Sequence, residues 1–167
     1  MLFYARLAEF DGDAGALREL LMEHGPQLLQ EAAREGREPA LNLIQRVLRR
    51  RDPKSCTAHQ PLAGVYRPEG DGTSFSLVCD ACLVEYPASR ESCPGCGGAD
   101  RIAYYSAESM PHIQMRVCES CRRYLHVVNL GLDAEAIPEV DEMTALPLDI
   151  WAGEQGYAKL HCNFAGV

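Results

Sequence analysis

The chain predicts an α+β protein with a short N-terminal helical segment, two tandem zinc-ribbon or rubredoxin-like β modules, and a C-terminal helix. Three observations carry that expectation. Ligand-type residues fall in four pairs, Cys56/His59, Cys79/Cys82, Cys93/Cys96 and Cys118/Cys121. The spacers inside the two frames they form, residues 60–78 and 97–117, each have hairpin length, and the second frame repeats the first. Apolar residues follow a helical period before the first pair and again after the last. The expected divisions are 1–53 (helical segment), 54–92 (first metal-knuckle module), 93–132 (second module) and 133–167 (acidic linker and C-terminal helix).

In the first segment Leu17, Leu20, Leu21, Met22, Leu28 and Leu29 recur at helical spacing, with Gly25-Pro26 as a break. From Pro39 to Arg51 the residues Leu41, Leu43, Ile44, Val47 and Leu48 fall largely on one face. Pro39 suits the first turn of that helix, and Asp52-Pro53 closes it. The basic cluster Arg46, Arg49, Arg50, Arg51 and Lys54 has two readings: cations against the negative end of a helix dipole, or a partner or phosphate contact.

Each module reads as knuckle, hairpin, knuckle and third strand. In the first, Leu62–Arg67 and Thr73–Val78 flank the turn Pro68–Gly72, and Phe75, Leu77 and Cys79 alternate onto one face. In the second, Ile102–Ser106 and His112–Val117 flank a turn around Ser109–Pro111, with Ile113, Met115 and Val117 alternating. Leu83–Tyr86 and Tyr124–Leu130 supply the third strands. Such small units bury little by themselves, so bound metal must contribute folding energy, about 10–16 kcal/mol for structural zinc. In the tail, Thr144 is placed to cap a helix with Pro147 in its first turn, Leu148, Trp151 and Ala152 on its packing stripe, and Gly156 as its stop.

A C-x-x-C knuckle lets two sulfurs reach one ion while nearby backbone amides solvate the thiolates, and two knuckles complete a tetrahedral site. The pairing that explains both hairpins joins Cys56, His59, Cys79 and Cys82 as site 1, and Cys93, Cys96, Cys118 and Cys121 as site 2. A rival pairing joins Cys79/Cys82 with Cys93/Cys96, and His59 also admits an ordinary loop role with Cys56 incidental. The expected cofactors are two metal ions, zinc and/or iron. Imidazole in place of a thiolate at site 1 favours zinc, whereas four thiolates at site 2 suit either metal. Cys162 stands outside both frames. His112 and His126 lie in expected strands and read as packing or surface residues. No phosphate loop, paired-acid signature or Ser-His-Asp arrangement stands out, so the expectation is a non-enzyme.

Composition narrows the partners. The net charge is −8, with one Lys/Arg against seven Asp/Glu over 133–167. Nucleic acid, whose binding rests on neutralised phosphates, is disfavoured. No apolar run approaches the roughly 20 residues of a membrane span. Met1–Phe10 lacks the basic start of a signal peptide, so reduced cysteines in the cytoplasm are expected.

The string from Cys56 to Gly98, then RVCESCRRYLHVVNL over 116–130, then LPLDIWAGEQGY over 146–157, resembles the C-terminal half of the formate dehydrogenase accessory protein family (FdhE type). Gly156-Tyr157 and Asn163 are similar to the family's closing residues. The chain differs in having Cys56-Thr-Ala-His59 where the family has C-x-x-C, and about fifty residues where the family has a large helical domain. The resemblance implies a cytoplasmic maturation factor. Its expected partner is the catalytic subunit of a molybdenum- or tungsten-dependent formate dehydrogenase. Two readings stand beside it: a rubredoxin-like electron carrier using site 2, and a zinc-ribbon interaction module in a larger complex.

Overall fold

The computed structural model describes residues 3, 6, 10, 12–37, 44, 56 and 59–163. Among the described residues the N-terminal part includes the helices α1 (Ala14–His24) and α2 (Gln27–Glu35). Asp13 caps α1 by accepting from the Ala16 amide at 2.9 Å. The break falls at Gly25-Pro26, as expected, because proline has no amide to continue the ladder. α2 stops at Gly36, whose φ of +67° suits a residue without a Cβ. Leu17 and Leu21 are fully buried against Phe3, Ala32, Ala33 and Ile44, and the Arg18 guanidinium donates from α1 to the Ala33 carbonyl at 2.8 Å. Apart from buried Ile44, the helix expected over 39–51 and the basic cluster lie outside the described residues.

The remaining elements are β1 (Pro61–Glu69), β2 (Gly72–Cys79), β3 (Glu85–Pro87), β4 (Ile102–Ser106), β5 (Ile113–Cys118), β6 (Arg123–Asn129), α3 (Pro138–Thr144), α4 (Leu146–Glu154) and β7 (Ala158–Lys159). The hairpins fall where the alternation placed them. The β1–β2 turn is tighter than the five residues expected: Glu69 pairs Gly72, and Gly70 takes φ +56° between them.

The two modules share one sheet, in the order β3-β2-β1-β6-β5-β4. Each module is an antiparallel meander, and they join where β1 of the first runs parallel to β6 of the second. Gly64 lies at that joint, opposite Val127. A Cβ there would meet Phe75 Cε2 at 2.8 Å and Val127 Cγ2 at 3.0 Å, so the joint needs glycine. β6 completes the core of the first module on both faces. Phe75 and Leu77 pack with Leu125, Val127 and Leu160, while Val65 and Val78 pack with Val128 and Leu130. Arg116, buried on β5, donates to the Arg90 and Ser92 carbonyls at 2.8 and 2.9 Å and stacks over Phe75, fixing the inter-module link.

The second module is also roofed. Ala145, Leu148 and Ala152 pack on Ile113, Met115, Val117 and Tyr124, and Trp151 meets Tyr105 with ring planes tilted by 48°. Here the structure corrects one expectation. Residues 138–144 form a helix rather than an acidic linker, and both Val140 and Glu142 are buried in it. Thr144 therefore ends α3, donating to the Asp141 carbonyl at 2.8 Å, and does not cap the next helix. Pro147 does sit in the first turn of α4, and Gly156 follows its end with φ +76°.

Beneath this roof lies a buried polar network. His126 stands between Glu142 (Nδ1 to Oε1, 3.4 Å) and Asp149 (Nε2 to Oδ1, 3.3 Å). Lys159 on β7 ion-pairs with both carboxylates, and the Tyr124 hydroxyl donates to Asp149 at 2.8 Å. Its five ionisable groups come from β6 (Tyr124 and His126), α3, α4 and β7, so the network ties the roof to the sheet. No helix among the described residues is long and apolar enough to cross a membrane.

Candidate metal centres

Three of the four knuckles repeat one local turn. The Leu83 amide donates to the Cys79 carbonyl (3.0 Å), Gly97 to Cys93 (2.8 Å) and Arg122 to Cys118 (2.9 Å). In each, the residue after the second cysteine is left-handed: φ is 55° at Leu83, 74° at Gly97 and 58° at Arg122. Glycine adopts that conformation freely, but leucine and arginine do so at a cost of roughly 1–2 kcal/mol. Closing the knuckle outweighs it. The lack of glycine after Cys121 therefore changes the cost of the turn and leaves its shape intact.

The turn aims amides at sulfur. Cys79 receives Ala81 and Cys82, Cys93 receives Gly95 and Cys96, and Cys118 receives Ser120 and Cys121. Among the second cysteines, Cys82 receives Val84 and Cys121 receives Arg123. The Gly95 contact is 3.3 Å. Of the Cys56–His59 segment only the two ligand-type residues are described. Tyr86 on β3 stacks on the His59 ring, with centroids 5.0 Å apart and planes 21° apart, which orients Nδ1 toward the sulfurs.

The structure brings Cys56, His59, Cys79 and Cys82 into one cluster, and Cys93, Cys96, Cys118 and Cys121 into another. The ligand atoms within each lie within 4.8 Å of one another. The rival grouping of Cys79/Cys82 with Cys93/Cys96 is not the one the fold assembles. In cluster 1 the Cys56 and Cys79 sulfurs are 3.7 Å apart, and His59 Nδ1 is 3.5 Å from the sulfurs of both Cys56 and Cys82. In cluster 2 Cys93 and Cys121 are 3.7 Å apart, as are Cys96 and Cys118. A disulfide would need about 2.05 Å. A tetrahedral zinc with its usual bond lengths sets sulfur–sulfur edges of about 3.8 Å and sulfur–nitrogen edges of about 3.5 Å. Both donor sets therefore fit a tetrahedral ion.

The thiols are unequal within each cluster. Burial works to raise Cys79, but the amides and the His59 ring outweigh it and lower the thiol to about 7. Burial likewise opposes ionisation of Cys118, and amides from Cys121 and Ser120 lower it to about 7. Burial and the neighbouring sulfurs push Cys82 up to about 11 and Cys121 up to about 12. One thiol in each cluster is ready to ionise while its neighbour keeps its proton, because a second thiolate would stand beside the first. A divalent cation removes that conflict.

Supporting contacts from the C-terminal part converge on cluster 2. Leu160 lies so close to the knuckle that a Cβ on Gly95 would meet its Cδ1 at 2.6 Å. Arg122 pairs with Glu119 at 3.0 Å and covers the Tyr157 ring at 3.8 Å, binding the second knuckle to the end of α4. In the sequence Tyr157 stands in a terminal motif, and no spacing signals this contact. Cys162 lies outside both clusters and is exposed.

Fold and clusters together define a tandem zinc-ribbon protein of the metal-binding kind. Residues 92–165 match the family model described as FdhE, C-terminal domain. The chain is 32% identical over 98 residues to the protein FdhE homolog of Aquifex aeolicus, covering 58% of this chain and 34% of that one. It is 30% identical over 110 residues to the homolog of Pseudomonas aeruginosa, covering 62% and 36%. Over residues 92–165 the chain is similar to the C-terminal domain of the FdhE family, and it spans about a third of the length of these relatives. The crystal structure of the FdhE protein from Pseudomonas aeruginosa has the same fold, with a TM-score of 0.67 and 22% identity over 98% of this chain and 68% of that one.

Proposed function

We propose that this chain is a metal-binding accessory protein that binds the catalytic subunit of a formate dehydrogenase, or of a related molybdenum or tungsten oxidoreductase, during its maturation in the cytoplasm. The observation that carries the reading is the FdhE C-terminal domain over 92–165, which includes all of cluster 2 and the helices that brace it. The ligands are Cys56, His59, Cys79 and Cys82 at site 1, holding zinc, and Cys93, Cys96, Cys118 and Cys121 at site 2, holding zinc or iron. Bound metal supplies folding energy to modules with small cores. Amide cages, tight turns and bracing contacts all fix the ligands in place, which suits a rigid recognition surface and no catalytic turnover.

The test is capture with tagged chain in a cell that makes a formate dehydrogenase. Recovery of the immature catalytic subunit supports the reading, and recovery of only ribosomal or transcription proteins overturns it. One observation favours an electron-carrier reading: site 2 has four sulfurs, amide donors to three of them and an exposed Cys96. Red ferric-thiolate absorption with reversible reduction would support that alternative, and a colourless chain with stoichiometric zinc would exclude it.

A further inference from the structure

Helix α4 leaves an apolar margin uncovered. Leu146 is 45% exposed and Ile150 57%. Beside them a groove of about 410 Å³ opens between the end of β4 and the start of α4, lined by Tyr105, Ser106, Ala107, Pro147, Leu148 and Trp151. Among the described residues β4 is the last strand of its sheet, so its outer backbone edge has no strand partner. An open edge with an apolar groove beside it is the geometry that takes up an extended peptide as an added strand.

Charge decides what kind of peptide fits. The stretches that build the two walls, 102–115 and 138–154, hold six carboxylates and no lysine or arginine. Asp141 pairs with His112, and Glu142 and Asp149 are committed to the network around Lys159. Glu108 and Glu154 remain exposed near the groove. A second copy of a chain with net charge −8 would bring like charge to this edge, and an anionic membrane surface would be repelled.

We propose that the β4–α4 groove docks an extended segment of the client protein, apolar at alternate positions and basic between them. Backbone pairing along Ile102–Ser106 gives the segment its register, the groove takes alternate side chains, and the carboxylates select lysine or arginine. This deepens the accessory reading and rests on it for the identity of the client.

Trp151 is the only tryptophan in the chain, so its emission reports on the groove. The metal-loaded full chain is titrated with a short peptide of alternating leucine and lysine, and with its leucine–glutamate counterpart. The expected result is saturable change with the lysine peptide, about tenfold weaker binding of the glutamate peptide, and slowed hydrogen exchange over Ile102–Ser106. The double variant Glu108→Lys, Glu154→Lys changes exposed positions and should reverse the preference. Equal binding of both peptides, unchanged exchange in β4, or self-association through this face by sedimentation overturns the proposal. In client capture, equal recovery by wild type and double variant sinks the groove and spares the accessory reading. Peptide binding without any client capture sinks that reading and spares the groove.

Discussion

The two modules carry nearly the same frame and are stabilised in different ways. The second has a roof: α4 packs on β5 and β6 while α3 lies across β6 and β1, Leu160 presses on one knuckle, and Arg122 with Tyr157 holds the other. The first has no helix of its own among its described residues, and borrows β6 and Leu160 to complete both faces of its core. Their donor sets differ as well, three sulfurs and a nitrogen against four sulfurs. A repeated motif can thus produce one module that organises the sheet and one that depends on it. Damage to the second module should spread to the first, and damage to the first should stay local.

The largest test of that asymmetry is a pair of ligand substitutions. Cys118→Ser should abolish site 2 and disorder both modules. Cys79→Ser should lose one ion and hydrogen-exchange protection mainly over β1–β3. Metal content and exchange mapping check both, and a symmetric outcome would remove the distinction. Acidification should act in the same sense. Thiols raised to about 11 at Cys82 and about 12 at Cys121 hold protons that the metal must displace, so affinity falls as pH falls. Site 2, with four thiols, should show the steeper dependence in competition titrations.

Next in size is the network under the roof. Glu142→Leu leaves Lys159 and His126 facing a single carboxylate in a buried site, and should cost about 3–5 kcal/mol in denaturant unfolding. Gly64→Val overpacks the joint against Phe75 and Val127, and should cost about 1–3 kcal/mol with the loss concentrated in the first module.

The smallest effect belongs to the exposed pair on the first module. Arg67 grips the Glu85 carboxylate at 2.7 Å and holds its pKa below the usual glutamate range. A depressed folded value means that the contribution is present above the ordinary glutamate pKa and is lost as pH falls through the folded one. Half-exposed Arg67 limits it, so Arg67→Ala should cost under about 1 kcal/mol at neutral pH and less in acid.

What the sequence disclosed was local. Knuckle spacing, hairpin alternation, the Gly25-Pro26 break and the Gly156 stop are short-range signals, and each appears in the structure where it was expected. The parallel β1–β6 joint pairs residues some sixty positions apart, and no periodicity announces it. The left-handed turns at Leu83 and Arg122 carry no glycine to mark them; only Gly97 does. Helix α3 looked like an acidic linker because Glu142, fully buried beside Lys159, reads in sequence as a surface charge. His126 was expected in a strand and is there, but its carboxylate partners come from helices distant in the chain. Tyr86 stacking on His59 is likewise a contact, between β3 and the segment before β1, that spacing alone does not fix.

Two unequal clusters, each holding an ion, are expected to stabilise the one shared sheet. Metal content of the purified chain, measured beside its near-ultraviolet circular dichroism before and after chelation, tests it most directly. Two ions per chain are expected, with the aromatic signal of Trp151 and Tyr105 collapsing as the second-site ion is withdrawn. A chain that carries fewer than two ions when fully folded, or keeps that signal with both ions removed, would contradict it.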